Sequence, residues 1–500
     1  MNEIREREAK LVAAEGFSLP NLSSALDGIS SRPFVPRDLD AVYYDTSDLR
    51  LARWGITVRH RTGDGDGWTV KLPDGEAGPA LARRELTFPG PVATTPPADV
   101  TAMVLAYTRS EPLAPVARLR THRTGVELLD AEGVPVAEVV DDEVSVYDGQ
   151  RLAGRFRELE VELDPLAQAE LLPRLVAVLE QTGAGQADQV PKLVRALGAR
   201  ASEPPELVVG GLSGRSTVAD VVRDAMVAST IRIIRHDPGV RIGDDPEDVH
   251  QARVGARRLR SDLQTFRPVL EPSWVEVVRT ELQWLGAELG AVRDADVLLE
   301  RLRRQADALP DRDAAGVAAL VRRLARQREV ARASLLDAMS SQRYLRLLDL
   351  LVAGSRSPGV LPAAAAPAAE ALPALAAGPW KKLKRAVDGL PDYPADDALH
   401  AVRIRAKRCR YAAEAAAPVV GKPARRFAAA VAGLQTVLGD HQDAVVAESW
   451  LREAAATSSI PKLVAGELVA LQRVEAAAGR KAWRRAWKQA SSKRLRRWLP

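Results

Sequence analysis

A chain of 500 residues is longer than one ordinary domain, so the sequence predicts two or three domains. The 46% hydrophobic content is typical of a globular protein, and the single cysteine, Cys409, excludes an internal disulfide framework and favours a reducing compartment. The net charge is only +5, but the chain contains 71 lysines and arginines, which favour an anionic partner wherever they cluster.

The N-terminal segment is charged rather than apolar, so no secretory signal is expected. No run of about 18 uncharged apolar residues is present, and the sequence therefore predicts no membrane span. The expected compartment is the cytoplasm.

The first segment, MNEIREREAKLV, contains Glu6, Glu8 and Lys10 at two-residue spacing. On a β-strand these three side chains would lie on one face. On a helix, Glu6 and Lys10 would instead form a favourable i,i+4 pair. Both interpretations are open for this segment taken alone.

Residues 1–200 contain short alternating runs separated by glycine and proline, which predict strands and hairpins. A helix is predicted over 165–183, after the last strand. Paired prolines and glycines predict a linker at 201–212, and apolar residues at three- and four-residue spacing predict helices over 213–500. The expected fold class is multidomain α+β, with a β domain followed by an all-α domain.

The late segment RELEVEL alternates Glu158, Glu160 and Glu162 with leucine and valine. One interpretation is an edge strand with a solvated acidic face. Ionised glutamates on one face repel one another, however, and need cations from neighbouring strands or from a metal. The basic segments TVRHR and WTVKL supply cations, so a closed sheet would bring both charge types into one interior that holds phosphates and Mg²⁺ or Mn²⁺. This interpretation favours the strand for EREAK.

Several of these segments, taken in order, resemble the CYTH superfamily, the triphosphate tunnel enzymes. EREAK resembles the ExExK signature of that family, and YYDTSDLRLARWGITVRHR, RELEVEL and PKLVRAL resemble other family segments, together covering residues 1–200. The resemblance implies an eight-stranded antiparallel β tunnel with flanking helices. It also implies hydrolysis or cyclisation of triphosphates with a divalent metal, Mg²⁺ or Mn²⁺.

The same resemblance implies roles for individual residues. The expected metal ligands are the carboxylates of Glu6, Glu8, Asp142, Glu158 and Glu160. Asp142 is preferred to Asp141 because it shares strand parity with Glu138. The expected triphosphate-binding cations are Lys10, Arg59, Arg61, Lys71, Arg84, Arg123 and Lys192. Catalytic roles are expected for Lys10, Arg61 and Glu160. The loop GDGDG after Arg61 is expected to be a hairpin turn, with nucleotide binding as the alternative.

The helical part contains an internal repeat. VHQARVGARRLR, beginning at Val249, is similar to LHAVRIRAKRCR, beginning at Leu399. Further along, Gly290 and Asp294 match Gly439 and Asp443 at nearly the same offset. The repeat predicts two pseudo-symmetric helical bundles, with halves at about 213–353 and 379–500. The prolines of the Pro/Ala-rich segment between the halves favour a flexible joint, which can include a short helix.

Each repeat carries a basic row at helical spacing. The two rows are His250, Arg253, Arg257 and Arg260, and His400, Arg403, Lys407 and Arg410. A solvated helix face with salt bridges is the ordinary explanation of such a row. Acids are absent from both rows, however, so we expect unneutralised cations that bind a long polyanion. A histidine metal site is a further alternative, which the many neighbouring cations disfavour.

These repeats, with LGAVRDADVL and LGDHQDA, resemble the CHAD family, a conserved-histidine helical domain, over residues 213–500. His441 departs from the pattern of that family. The resemblance implies two four-helix bundles about a pseudo-twofold axis and a basic surface that binds inorganic polyphosphate through the eight residues of the two rows. Nucleic acid is the less favoured partner, and polyphosphate granules are a candidate location within the cytoplasm.

The expected function is metal-dependent hydrolysis of inorganic triphosphate or a related triphosphate, with polyphosphate binding by the helical domain. The alternatives are a non-catalytic polyphosphate-binding scaffold and a nucleotide cyclase. The basic C-terminal segment KAWRRAWKQASSKRLRRW leaves two explanations open: Trp483 and Trp487 pack the last helix onto its bundle, or the segment adds affinity for polyanions.

Overall fold

The structure is a computed structural model that describes residues 2–14, 16–24, 28–74, 81–188, 190–456 and 462–500. The chain divides into two units, Met1–Glu206 and Leu207–Pro500, and the division falls within residues 201–212. No helix among the described residues is long and apolar enough to cross a membrane.

The first unit is built around a closed antiparallel barrel. Its strands are β1 (Asn2–Val12), β2 (Ser30–Pro33), β3 (Arg37–Asp45), β4 (Thr57–Thr62), β5 (Gly67–Pro73), β6 (Leu81–Phe88), β7 (Ala114–Leu129), β8 (Pro135–Asp148) and β9 (Arg151–Leu163). Eight of them follow the order β7-β3-β4-β5-β6-β1-β9-β8, and pairing of β7 with β8 closes the ring. The short strand β2 pairs with the far end of β7, beside β3. The predicted eight-stranded antiparallel tunnel is confirmed.

Side-chain alternation explains how the barrel carries opposite environments on its two faces. On β9, Leu159, Val161 and Leu163 are buried in the apolar core outside the barrel, while the glutamates between them face inward. β1 pairs with β9 so that Lys10 lies opposite Glu160. EREAK is therefore part of a strand, and the helical alternative for it is wrong.

The described residues of this unit also form four short α-helices: α1 (Arg50–Arg53), α2 (Ala98–Thr108), α3 (Leu171–Gln181) and α4 (Lys192–Leu197). α3 is the helix predicted after the last strand, and Leu172, Leu175 and Leu179 pack it onto the outer face of β9. α4 begins at Lys192, directly after Pro191, a residue whose fixed φ favours the start of a helix.

The second unit is helical. Its described residues form α5 (Val218–Ile242), α6 (Pro246–Thr265), α7 (Pro272–Ala306), α8 (Ala314–Met339), α9 (Gln342–Arg356), α10 (Ala368–Asp388), α11 (Asp396–Val420), α12 (Lys422–Ala456) and α13 (Lys462–Ala490). The set α5–α8 corresponds to the set α10–α13, and α7 and α12 each contain 35 residues. The predicted pair of pseudo-symmetric helical bundles is confirmed.

Two reciprocal hydrogen bonds mark the relation between these halves. The Val218 amide donates to the Ala366 carbonyl at 3.1 Å, and the Ala368 amide donates to the Ser216 carbonyl at 2.8 Å. Both pairs are related by the 150-residue offset of the repeat. The starts of α5 and α10 therefore meet across the pseudo-twofold axis, as equivalent surfaces do in a symmetric pair.

The Pro/Ala-rich segment between the halves is more helical than expected. Its residues 368–379 form the first part of α10, although Pro373 and Pro379 lie inside that helix. Leu372, Ala376 and Ala377 on α10 are buried. Burial of this apolar face stabilises the helix against the cost of its two prolines.

The C-terminal tryptophans pack within the second bundle. Trp483 is buried, and Trp487 stacks on Trp380 with ring centroids 5.4 Å apart. Trp498 packs against the same core. The packing explanation therefore accounts for both tryptophans singled out in the tail.

Asp45 provides a test of how the first unit is held together. Its carboxylate is fully buried and accepts hydrogen bonds from the backbone amides of Thr46, Leu51 and Ala52, which join the end of β3 to α1. We expect Asp45→Ala to lower the free energy of unfolding by about 2–4 kcal/mol, because three buried donors would lose their acceptor. Denaturant unfolding measures this change.

Asp38→Ala is the matched control, since the side chain of Asp38 is 89% exposed and lies 2.8 Å from exposed His122. It should change the free energy of unfolding by less than about 0.5 kcal/mol. Equal effects of the two substitutions would contradict the assigned role of Asp45.

Candidate functional site

The inward faces of the barrel strands enclose a small, highly charged cavity of about 230 Å³. Eight cationic side chains and seven carboxylates line it within the described part of the chain. The cations are Lys10, Arg37, Arg59, Arg61, Lys71, Arg83, Arg123 and Lys192, and the acids are Glu6, Glu8, Asp64, Glu85, Glu138, Glu160 and Glu162. Drug-sized organic ligands occupy larger and more apolar cavities, so the chemistry of this one suits a small anion.

Lys10 lies at the centre of the acidic side of this tunnel. Its ammonium group forms an ion pair with Glu160 and lies 3.4 Å from Glu8 and 3.9 Å from Glu158. Burial alone would lower the pKa of Lys10, but these carboxylates outweigh it and raise the pKa well above the ordinary value. Lys10 therefore stays positively charged inside the tunnel.

Lys71, on β5, faces a second pair of carboxylates in the tunnel. Its Nζ atom lies 2.6 Å from Glu6 and 2.9 Å from Glu85. Burial and the neighbouring Glu85 raise the pKa of Glu6 to about 7. Lys71 and Arg59 hold the pKa of Glu85 down at about 2 against the effect of burial. Of these two neighbouring acids, Glu6 is therefore the one with the higher pKa.

Asp142 joins two of the predicted phosphate-binding cations. Its carboxylate is fully buried, accepts two hydrogen bonds from Arg123 at 2.8 and 2.6 Å, and accepts one from Lys192 at 2.5 Å. Asp141 instead pairs with Arg157 at 2.6 Å. Asp142 therefore orients two cations of the tunnel, whereas Asp141 does not contact them, and the choice of Asp142 as a metal ligand stays a prediction.

One predicted tunnel cation lies elsewhere. Arg84 does not line the cavity, and its Nε atom lies 3.1 Å from Glu3. Arg83, one position earlier, is buried and lines the tunnel with its Nε atom 3.8 Å from Glu8. Arg83 shares strand parity with Glu85, which also lines the tunnel, so the alternation of β6 places Arg84 on the other face.

Several lining residues were not among the predicted site residues: Arg37, Tyr43, Thr57, Asp64, Arg83, Glu138 and Glu162. Strand parity could have found Glu162 and Glu138, which share it with Glu160 and Asp142. The GDGDG segment is a turn between β4 and β5, and Asp64 within it pairs with Arg61 at 2.7 Å. No spacing rule predicts that a turn residue reaches into a barrel.

The carboxylates of the tunnel fit a hard divalent cation in their chemistry. Both oxygens of Glu158 and one oxygen of Glu8 are buried without a hydrogen-bond partner. Buried oxygens of this kind are the ligands that Mg²⁺ and Mn²⁺ prefer. The five expected ligands are not gathered into one cluster, and no group of three acidic, histidine or cysteine side chains among the described residues is arranged to hold a metal.

The second candidate site lies where α6 and α11 meet. Arg257 on α6 donates to the hydroxyl of Tyr411 on α11 at 3.0 Å. Burial, followed by the charges of Arg403, Arg257 and Arg253, lowers the pKa of Lys407 to about 7. The two predicted rows therefore bring Arg253, Arg257, Arg403 and Lys407 together; we call these four residues the row cluster.

The repeated glycine and aspartate position the leading arginine of each row. Arg253 lies 3.1 Å from Asp294, and Arg403 lies 4.0 Å from Asp443. A Cβ atom added at Gly290 would lie 3.6 Å from the Arg253 guanidinium, and one added at Gly439 would lie 3.4 Å from that of Arg403. A longer side chain at either glycine would displace its arginine, which explains this part of the repeat.

The expectation that nothing neutralises the rows is therefore wrong for three of their members. Asp294 and Asp443 face Arg253 and Arg403, and Glu414 pairs with Arg410 at 2.6 Å. By contrast, neither Arg257 nor Lys407 forms an ion pair with a carboxylate in the described part of the chain. Within the row cluster, the charge without a carboxylate partner therefore lies on these two residues.

The remaining row members lie apart from this centre. Arg260 contacts Gln283 at 3.2 Å, and its electrostatic neighbours are Arg279 and Arg408. Burial and Arg293 lower the pKa of His250, and the Nδ1 atom of His400 is buried without a hydrogen-bond partner.

His441 is a structural residue. It is buried, its Nδ1 atom lies 2.9 Å from the Ala476 carbonyl oxygen, and its Nε2 atom lies 2.9 Å from Asp396. These contacts connect α12 to α13 and α11, which explains why this histidine falls outside the basic rows.

Comparison with known proteins agrees with the two architectures. A CYTH domain model matches residues 5–194, and a CHAD domain model matches residues 225–452. Two uncharacterised proteins from two strains of Mycobacterium tuberculosis are each 35% identical over 482 residues, which cover 89% of this chain and 88% of their own length.

Two solved structures are also similar to the chain. PptA from Streptomyces chartreusis is 27% identical with a TM-score of 0.47, covering 55% of this chain and all of its own. The CHAD domain of the plant Ricinus communis is 29% identical with a TM-score of 0.47, covering 56% of this chain and 95% of its own. From the family matches and the two full-length relatives, the chain belongs to the proteins that join an N-terminal CYTH domain to a C-terminal CHAD domain.

Proposed function

We propose that the CYTH tunnel hydrolyses inorganic triphosphate or a related triphosphate with Mg²⁺ or Mn²⁺, and that the CHAD domain binds inorganic polyphosphate. One observation carries the enzymatic part. Eight cations from the barrel wall and from α4 converge on a cavity of about 230 Å³ that is also lined by carboxylates, among them Glu8, one oxygen of which is buried without a hydrogen-bond partner. Phosphates and a hard cation together would satisfy both sets of charges.

Charge balance explains why the anion would not bind alone. Eight cations and seven carboxylates nearly cancel in the described lining of the tunnel. A triphosphate that takes Lys10 or Lys71 as a partner displaces Glu160 or Glu6 from its ion pair. The displaced carboxylates are then buried and unpaired, which is costly unless another cation accompanies the substrate.

The residues of the tunnel would have separate roles in binding the metal and the phosphates. Glu8 and Glu158, together with the other expected carboxylates, would hold the metal, while Arg59, Arg61 and Arg123 would hold the phosphate oxygens. Asp142 would keep Arg123 and Lys192 in position, since both donate to it. When bound, the metal would neutralise phosphate charge and orient water for in-line attack.

The polyphosphate-binding part rests on the row cluster. Burial with several like charges makes Arg257 and Lys407 unfavourable neighbours, and neither has a carboxylate partner among the described residues. A chain of phosphates would supply the missing negative charge along α6 and α11. Asp294 and Asp443 would keep Arg253 and Arg403 oriented toward the bound phosphates.

We expect Glu8→Gln to lower triphosphate hydrolysis by at least about a hundredfold, because a buried amide cannot replace a carboxylate beside Lys10 and a metal. Phosphate release from inorganic triphosphate, with and without added Mg²⁺, measures this loss. Polyphosphate binding by the variant should be unchanged, because the row cluster lies in the other unit.

Glu143→Gln is the matched control, because Glu143 lies on β8 but is exposed on the outer face. Hydrolysis by Glu8→Gln at the rate of the control would contradict the proposed role of the tunnel. A screen of triphosphate, ATP and thiamine triphosphate separates the alternatives: no turnover of any of them favours a scaffold, and cyclic AMP from ATP favours a cyclase.

We expect the double variant Arg257→Ala/Lys407→Ala to weaken polyphosphate binding and reduce its dependence on salt. Each lost phosphate contact should lower the slope of log affinity against log salt by roughly 0.7–0.9, so the double variant should lose roughly 1.5. Binding titrations at several salt concentrations measure the slope. The control Arg303→Ala/Arg304→Ala removes two exposed charges from α7, and the same slope in both variants would exclude the row cluster.

We also expect polyphosphate affinity to fall as the pH rises through 7. The pKa of Lys407 is about 7 in the free protein, so Lys407 is charged below this pH and neutral above it. A bound polyanion favours the charged form, and Arg253, Arg257, Arg403 and Asp443 are the neighbouring charges that set this balance. Affinity should therefore drop by roughly three- to tenfold between pH 6 and pH 8.

Lys407→Arg provides the control for this effect, because arginine remains charged over the whole range. Its pH profile should be flatter than that of the wild type. Parallel profiles would show that the dependence arises from the polyphosphate or from another residue.

A further inference from the structure

A second cationic cavity lies between α6, α10 and α11, with a volume of about 930 Å³. Five basic side chains line it: Arg267, Lys382, Arg385, Arg405 and Arg408. None of the row-cluster residues lines it. No carboxylate among the described residues lines it either, and none of the five cations pairs with a carboxylate in that part of the chain.

The pseudo-twofold repeat supplies an internal comparison for this cavity. A smaller pocket of about 180 Å³ lies among α5, α6 and α11 at the equivalent place. Arg232 in the small pocket corresponds to Lys382 in the large cavity, and Arg258 corresponds to Arg408, each at the 150-residue offset. The two sites therefore have the same architectural origin but different linings.

Acidic residues neutralise the small pocket. Glu414 lies 3.2 Å from Arg258, and Asp224 also lines the pocket. At the corresponding positions, the large cavity has Gln264 and Ala374. Arg258 of the small pocket thus has Glu414 as a partner, whereas its counterpart Arg408 faces Gln264 at the position of that acid.

The large cavity also contains additional cations. Arg405 occupies the position of Gly255 in the other half, and Arg267 occupies the position of Ala417. One of the two related sites is thus neutral and small, while the other is strongly positive and open. A general requirement for a soluble surface would not distinguish them in this way.

Two further arginines that do not line the large cavity, Arg260 and Arg279, are electrostatic neighbours of its Arg408. Burial, then Arg279 and Arg405, lower the pKa of Arg408, and burial with Arg279 and Arg408 lowers that of Arg260. The Nε atoms of Arg260 and Arg279 are buried without a hydrogen-bond partner. Crowded cations with unused donors beside the cavity favour an anion as their partner.

We propose that this cavity is a second anion site, which binds a compact molecule carrying several phosphate groups. A guanidinium group can donate two parallel hydrogen bonds to phosphate oxygens, and the five cations line one open cavity. Leu375, Pro379 and Ala386 on α10 give the cavity an apolar wall against which a small organic group can pack. The shared chemistry covers short condensed phosphates and phosphate esters. The inference is independent of the tunnel's activity and of the row cluster.

Hydrogen exchange of the full chain locates binding, because a ligand in this cavity should protect α10 and α11. The two probes are tripolyphosphate, a condensed phosphate, and inositol hexakisphosphate, a phosphate ester. We expect at least one of them to slow exchange over residues 374–386. Protection by tripolyphosphate alone, by the ester alone or by both identifies the ligand source, and protection by neither overturns the proposal.

A pair of variants tests the residues. Lys382→Ala/Arg385→Ala removes two exposed cations from the cavity. We expect it to lower the affinity of the probe that protects α10 by on the order of tenfold or more. Arg232→Ala at the equivalent place in the small pocket should leave that affinity unchanged. Unchanged protection of 374–386 in the double variant would overturn the assignment.

Discussion

Buried charge is costly unless an opposite charge or a ligand faces it, and this constraint shapes both domains of the protein. In the CYTH tunnel, Lys10, Lys71 and Lys192 each face carboxylates, so the ligand-free barrel holds its charges in ion pairs. In the CHAD domain, aspartates face only some of the arginines. Ion pairs in the tunnel must break before its lysines can bind an anion. In the helical domain, Arg257 and Lys407 form no ion pair with a carboxylate in the described part of the chain.

The alternation of inward- and outward-facing side chains along each strand made the barrel predictable from the sequence. Period-two spacing in EREAK and RELEVEL correctly assigned inward and outward faces, because strand geometry allows only two choices. The same rule fails at ARRE, where two adjacent arginines compete for one inward position. Only the register of β6 with its neighbours selects Arg83 over Arg84, and register is not contained in a single segment.

The helical domain shows a different limit. The basic rows were visible because they repeat, but their acidic partners lie about 40 residues away on the next helix. Local charge patterns cannot reveal such pairs. Local sequence is also insufficient for α10. Its Pro373 and Pro379 predicted a joint, and the burial of Leu372 and its neighbours in the tertiary structure explains why a helix forms instead.

The halves of the CHAD domain also share a core, in which leucines of α7 and α8 pack against residues of α12 and α13. Arg301 on α7 donates to Gln472 on α13 at 2.6 Å within this region. Contacts between segments more than 100 residues apart form only after a long loop has closed, which slows folding. The first half therefore emerges from the ribosome with an exposed apolar surface, and its maturation waits for the second half to be synthesised.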